Sequence, residues 1–161
     1  MNHKAIIFDL YGTLIDMYDF QNNMCVYEMA DLLGIPQSEF AKNWAETFKQ
    51  RETGAFTRLE DCIKHICDRQ NVFFYGLRTK AAINELLQFT HKMIKPRKDV
   101  EDVLKYFKAA GYKTGLITGC STEVPLVWDN TRLASLIDVP IFSCQVGINK
   151  PDMNIYEIAC K

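Results

Sequence analysis

Four apolar residues in a row, Ala5 to Phe8, are followed by one carboxylate, Asp9, and then by Gly12-Thr13. A short unbroken apolar run bounded by turn residues predicts a strand buried on both faces. Asp9 would stand at its end, where Tyr11-Gly12-Thr13 turns away. The period then changes to that of helices. Phe20, Met24, Tyr27 and Ala30 recur at helical spacing over 18–33, and Gly34 stops the run. Pro36 and Ser38 open a second helix with Phe40, Trp44 and Phe48 on one face. Arg51 to Phe56 predicts a loop around Gly54. Thr57 with Glu60 fits a capping box, ahead of the stripe Leu59, Cys62, Ile63, Ile66 and Cys67. A brief aromatic run over 72–75 precedes a fourth helix, over 79–90, that buries Ala82, Ile83, Leu86 and Leu87.

Pro96 resets the chain. Asp99 is placed to cap a helix faced by Val100, Val103, Leu104 and Phe107, which Gly111 ends. Residues 112–118 read as a second strand closing on Thr118 and Gly119. A helix over 123–136 follows, with Pro125 in its first turn. Residues 139–144 read as a third strand, Gly147 to Pro151 as a loop, and Asp152 opens a last helix with Ile155 and Tyr156. Helices alternating with buried strands imply a parallel sheet with helices on its faces. Right-handed crossovers would bring all three strand ends to one edge. The helical block inserted after the first strand would overhang that edge as a lid.

Composition changes this picture little. The 161 residues carry 19 basic and 20 acidic side chains, a net charge of −1, with 48% hydrophobic and 24% charged content. That is an ordinary globular chain with no bulk pull toward nucleic acid or a membrane. The apolar runs are too short to span a bilayer. Met1 to Lys4 leads straight into the first strand, so a cytoplasmic protein is expected. The six cysteines form no Cys-x-x-Cys pair, and free thiols in a reducing compartment are expected.

The predicted sheet edge gathers chemistry. Asp9 is a candidate nucleophile, Thr118 a hydroxyl donor, the turn at Gly119 and Cys120 a source of backbone N–H groups for anions, and Lys150 a fixed positive charge for an anionic substrate or transition state. A carboxylate attacking electrophilic phosphorus or carbon forms an ester that water then hydrolyses.

Three segments carry a resemblance: Phe8-Asp-Leu-Tyr-Gly-Thr-Leu-Ile-Asp16, Gly115-Leu-Ile-Thr-Gly119, and Gly147-Ile-Asn-Lys-Pro-Asp152 with Ile155-Tyr156. In that order they resemble three of the four motifs of the haloacid dehalogenase superfamily. The resemblance implies an α/β fold: a Rossmann-like parallel core from 1–16 and 96–161, with an α-helical cap inserted over 17–95. It implies Asp9, Thr13, Thr118 and Lys150 as catalytic residues, with Tyr11, Gly119 and Cys120 at the substrate. In family phosphatases Mg²⁺ is held by the first aspartate, the main-chain carbonyl two residues on (here Tyr11) and a fourth-motif acid. That acid has no counterpart in these residues, so a fragment of a longer protein is expected. An open sheet edge, and a homo-oligomer through it, would then be accessible.

Position 11 separates two chemistries. Typical family phosphatases carry a second aspartate there, whereas Asp-x-Tyr-Gly-Thr is what family 2-haloacid dehalogenases carry; a departing halide needs no proton. Those dehalogenases also use a cap arginine beside the substrate carboxylate, for which Arg51, Arg58 and Arg69 are all candidates. The resemblance favours a Mg²⁺-dependent phosphatase acting on a small anionic substrate. A metal-independent 2-haloacid dehalogenase comes next, and a non-catalytic binding or assembly module third.

Overall fold

The computed structural model describes residues 4–17, 24–74 and 76–160. The predictions for Phe20 and Tyr75 lie outside them. Strands β1 (Ala5–Phe8), β2 (Lys113–Thr118) and β3 (Val139–Phe142) form one parallel sheet in the order β1-β2-β3. Ile7 stands opposite Gly115, and Thr118 opposite Phe142. Their C-terminal ends therefore share one edge, as the alternating pattern predicts.

Between β1 and β2 lie helices α1 (Met24–Leu33), α2 (Gln37–Glu46), α3 (Phe48–Glu52), α4 (Leu59–Arg69), α5 (Gly76–Met93) and α6 (Val100–Ala109). The helices α7 (Glu123–Trp128), α8 (Ser143–Val146) and α9 (Met153–Ala159) follow the later strands. Two hydrophobic interiors result. One, in the inserted helices, is built on Met29, Ala30, Phe40, Ile63, Ile66 and Ala82. The other, around the sheet, is built on Leu10, Ile15, Leu104, Leu116, Val124 and Trp128.

Several elements differ from their expectation, each for a local reason. β1 is not buried on both faces: it is an edge strand among the described residues, and Ile7 is 39% exposed. The face containing Phe8 is covered by Phe107 of α6, while α9 packs on β2 and β3. The second predicted helix breaks at Thr47. Its hydroxyl donates to the Trp44 carbonyl at 2.9 Å and accepts from Arg51 Nε, competing with the helix ladder. The capping box does not form. The N-cap is Arg58, one residue later than Thr57, and Glu60 pairs with Arg58 instead. Asp99 caps no N–H with its side chain, because its backbone is left-handed at φ 68° rather than extended. Arg51, assigned to a loop, belongs to α3. The fourth helix is longer than predicted, running over Gly76–Met93. The helix from Glu123 ends at Trp128, where bonds three residues apart, Asn130 N–H to Val127 and Thr131 N–H to Trp128, tighten the chain into turns. Ser143 and Cys144 leave the third strand for α8.

Candidate active site

The turn after β1, the loop after β2 and the loop over 147–152 meet at the C-terminal edge of the sheet. That edge is where open α/β sheets bind ligands. Lys150 Nζ lies 2.6 Å from Asp9 Oδ1, joining residues 141 positions apart. Their side chains keep 29% and 41% exposure. Such an open pair adds only about 0–1 kcal/mol to stability. Chemically, an ammonium so placed can orient the carboxylate and offset negative charge that develops beside it.

The other expected residues occupy different settings. Thr118 is fully buried at the end of β2, with its hydroxyl 3.5 Å from the Gly119 carbonyl, at the limit of hydrogen bonding. Gly119 is walled in. An added Cβ would sit 2.7 Å from Asn149 Oδ1 and 3.1 Å from Glu52 Oε1, so a side chain there would displace both. The Cys120 N–H donates to Ser143 Oγ at 3.0 Å, so that donor is committed to the protein and not left for an anion. Thr13 stands in an exposed turn, its N–H 3.3 Å from the Leu10 carbonyl. Tyr11 lines a cavity of about 600 Å³ between the inserted helices and the sheet edge, together with Gly119, Cys120 and Ser121.

Among the three candidate arginines only Arg51 reaches that cavity. Arg58 and Arg69 form exposed pairs with Glu60 and Glu46. Arg51 is 5% exposed, lies 3.8 Å over the Trp44 ring, donates to the Trp44 carbonyl at 2.8 Å and crosses to Ser121 Oγ at 3.1 Å. Beside it are two carboxyls that sequence reasoning did not single out. Glu52 accepts from Asn149 Nδ2 at 3.1 Å, and burial pushes its pKa up against the opposing effects of Asn149 and Arg51. Glu123 lines the same cavity; burial raises its pKa too, opposed by Arg51. Neither acid sits in a recognisable motif. The one available signal was Asn149, which directly precedes Lys150.

Three thiols at or behind the cavity are shifted away from the thiolate, while Cys144 is lowered by its hydrogen bond with Cys120. Burial takes Cys25 to about 12 and Cys62 to about 11. Cys120 is raised by its hydrogen bond to Cys144 and by burial. Thiolate is the reactive form, so these three thiols are poorly placed to attack. For magnesium, Asp9 and the Tyr11 carbonyl are the donors anticipated here. No group of three or more His, Cys, Asp or Glu side chains able to hold a metal occurs among the described residues, and Asp9 is already engaged by an ammonium. Among the described residues these two oxygens are the donors at hand for an ion that needs octahedral coordination. No helix among the described residues is long and apolar enough to cross a membrane.

The fold and the assembled edge are those of a hydrolase. The family model for haloacid dehalogenase-like hydrolases matches residues 3–161, and the chain belongs to that family. It is 27% identical to an (S)-2-haloacid dehalogenase of Pseudomonas putida, over 99% of this chain and 70% of that protein. It is 25% identical to (S)-2-haloacid dehalogenase 4A of Burkholderia cepacia, over 98% and 68%. In fold it resembles a magnesium complex of a HAD family enzyme, bt-2542, from Bacteroides thetaiotaomicron. That match has a TM-score of 0.68 at 16% identity and covers 98% of this chain and 76% of the other.

Proposed function

We propose that this hydrolase displaces halide from a small 2-haloacid. The observation that carries the reading is the Asp9–Lys150 contact at 2.6 Å, with tyrosine rather than a second carboxylate at position 11. The alcohol of a phosphate monoester is a poor leaving group and needs a proton from a nearby acid. Tyrosine, with an ordinary pKa near 10, is a weak acid for that task. Halide leaves unaided. The dehalogenase relatives support the same choice, which reverses the order of the two chemistries expected from the resemblance.

In this mechanism an Asp9 carboxylate oxygen attacks the halogen-bearing carbon. The carbon–oxygen bond forms as the carbon–halogen bond breaks, and halide departs with the electron pair. Water then adds to the ester carbonyl of Asp9, its proton passes to solvent, and a 2-hydroxy acid leaves while Asp9 is regenerated. Lys150 offsets negative charge at the attacking carboxylate and at the ester carbonyl as water adds. Arg51 contributes positive charge to the cavity wall for the substrate carboxylate.

The test is halide release from 2-chloropropionate with excess chelator present. Release that persists with chelator and disappears in Asp9→Asn supports the reading. Phosphate-ester hydrolysis that chelator abolishes, with no halide release, would return the assignment to a magnesium phosphatase. Single turnover in ¹⁸O-water should place the label first in Asp9, since water attacks the side-chain carbonyl.

A further inference from the structure

Residues 51–56 fasten the inserted helices to the sheet edge at several points. Arg51 reaches Ser121 at 3.1 Å. The Phe56 carbonyl accepts from Thr122 Oγ1 at 3.2 Å. Gly54, at φ +71°, packs so closely that an added Cβ would run into the Cys144 carbonyl oxygen. Between these contacts Glu52 projects to the edge of the active site and accepts from Asn149 Nδ2 at 3.1 Å.

Asn149 is doubly held. Its other amide atom, Oδ1, accepts the Lys150 N–H at 2.8 Å, and its carbonyl accepts the Asp152 N–H at 3.1 Å. Rotation of the amide would break the bonds to Glu52 and to Lys150 together. The same loop then delivers Lys150 Nζ to Asp9 at 2.6 Å. Glu52 also separates two spaces. On one side is the cavity lined by Tyr11 and Gly119. On the other is an outer cleft of about 560 Å³ lined by Lys49, Asn149, Lys150 and Asp152.

We propose that Glu52 is a positioning residue: through Asn149 it sets the loop that carries Lys150, and so makes assembly of the Asp9–Lys150 pair depend on docking of the inserted helices. Lys150 is flexible on its own, a point charge on a four-carbon stem. One backbone bond, from the Asp152 N–H, and the amide that accepts the Lys150 N–H define where its stem begins, and Glu52 orients that amide. With the helices docked, the ammonium starts from a fixed point above Asp9. When residues 51–56 lift, Asn149 loses its carboxylate partner and the loop is freed to rearrange. Substrate admission and assembly of the charge pair thereby become one motion, as in other enzymes whose lids complete the site on closing. Burial that raises the Glu52 pKa agrees with a docked, partly desolvated contact.

The proposal rests on the dehalogenase reading for what Lys150 does, but its structural half can be measured without turnover. Hydrogen exchange should be followed at Lys150 and Asp152 on one side, at Thr53, Gly54 and Ala55 on the other, and at Leu116 as a reference. Glu52→Ala should speed exchange at Lys150 and Asp152 by about threefold to tenfold, the range expected for one lost hydrogen bond, with Leu116 unchanged. Asn149→Ala should do the same at residues 53–55. Changes confined to the mutated side would overturn the coupling.

Turnover supplies the second readout. Asn149→Asp sets two carboxylates against each other and should lower kcat for halide release at least tenfold while KM moves less than threefold. Adding Glu52→Gln, whose amide can donate to the carboxylate introduced by Asn149→Asp, should recover most of the loss. A double variant no better than the single one would also overturn the proposal. If the parent chain releases no halide, the dehalogenase reading fails by itself, and the exchange experiment still decides whether Glu52 controls the Lys150 loop.

Discussion

The interior of the inserted helices and the edge of the sheet are assembled in opposite ways. Met29, Phe40, Ile63 and Ala82 come from helices that follow one another, and α1 packs against both α2 and α5. Each contributes an apolar stripe that periodicity alone displays. At the sheet edge, Asp9 and Lys150 belong to no common stripe and meet across 141 positions. The helical interior is a packing solution, and many sequences would satisfy it. The edge is a positional solution, in which one ammonium must land on one carboxylate. The seam between them, residues 51–56, shares both properties: it buries Arg51 among aromatic rings and also points Glu52 at the site.

The sharpest way to break this division is to open one interior and watch the other. Phe40 is fully buried, and Phe40→Ala should destabilise the inserted helices by about 3–5 kcal/mol. Trp44 reports on that interior and Trp128 on the sheet. Denaturant unfolding, followed in Trp44→Phe and Trp128→Phe backgrounds, should show the larger shift at Trp44. Leu116→Ala should invert the order. Identical shifts from both probes would mean one cooperative unit.

The edge is tested through rate rather than stability. Lys150→Ala should cut halide release about 10²- to 10³-fold, the usual effect of losing one charge-stabilising group. It should change the unfolding midpoint little, because the pair is solvent-exposed. A large loss of stability instead would make Lys150 a structural residue.

At the seam, Gly54→Ala adds a methyl against the Cys144 carbonyl oxygen at a left-handed φ. It should cost about 1–3 kcal/mol and raise exchange at residues 51–56 before either interior loosens. The smallest effect is expected on the side of the sheet away from the site. Asp138 is lowered to about 2, chiefly by its hydrogen bond to Lys108 and then by the Thr114 N–H. A depressed carboxyl contributes stability above its unfolded value near 3.9 and loses it as pH falls through the folded value. Asp138→Asn should therefore be less stable than the parent at pH 7, by under about 1 kcal/mol for so exposed a group. The difference should fade between about pH 4 and 2.

How far the chain could be read follows from the same contrast. The strand ends at Asp9 and Thr118 were legible because turn residues bracket short apolar runs. The arginine was not. Arg51, Arg58 and Arg69 look alike along the chain, and a break at Thr47, set by its own hydroxyl, is what turns Arg51 inward. Glu52 carries no motif, and Asn149 lies within the Gly147–Asp152 segment without being singled out, because their partnership exists only once the helices fold back over the edge. The open edge beside the first strand was expected from the missing fourth motif, but the exposure of Ile7 was not, because an unbroken apolar run looks the same whether one face or both are covered.

By itself, then, the order of residues determined the alternation of strand and helix, the parallel sheet and the identity of the acid and the amine, since these depend on local periodicity and on turn chemistry. Tertiary structure alone decided which arginine lines the cavity, that the Cys120 N–H is taken by Ser143, and that a glutamate of the inserted helices holds the loop of Lys150. Those outcomes depend on distances between segments far apart in the chain, and a one-dimensional pattern has no term for such distances until register and docking supply them.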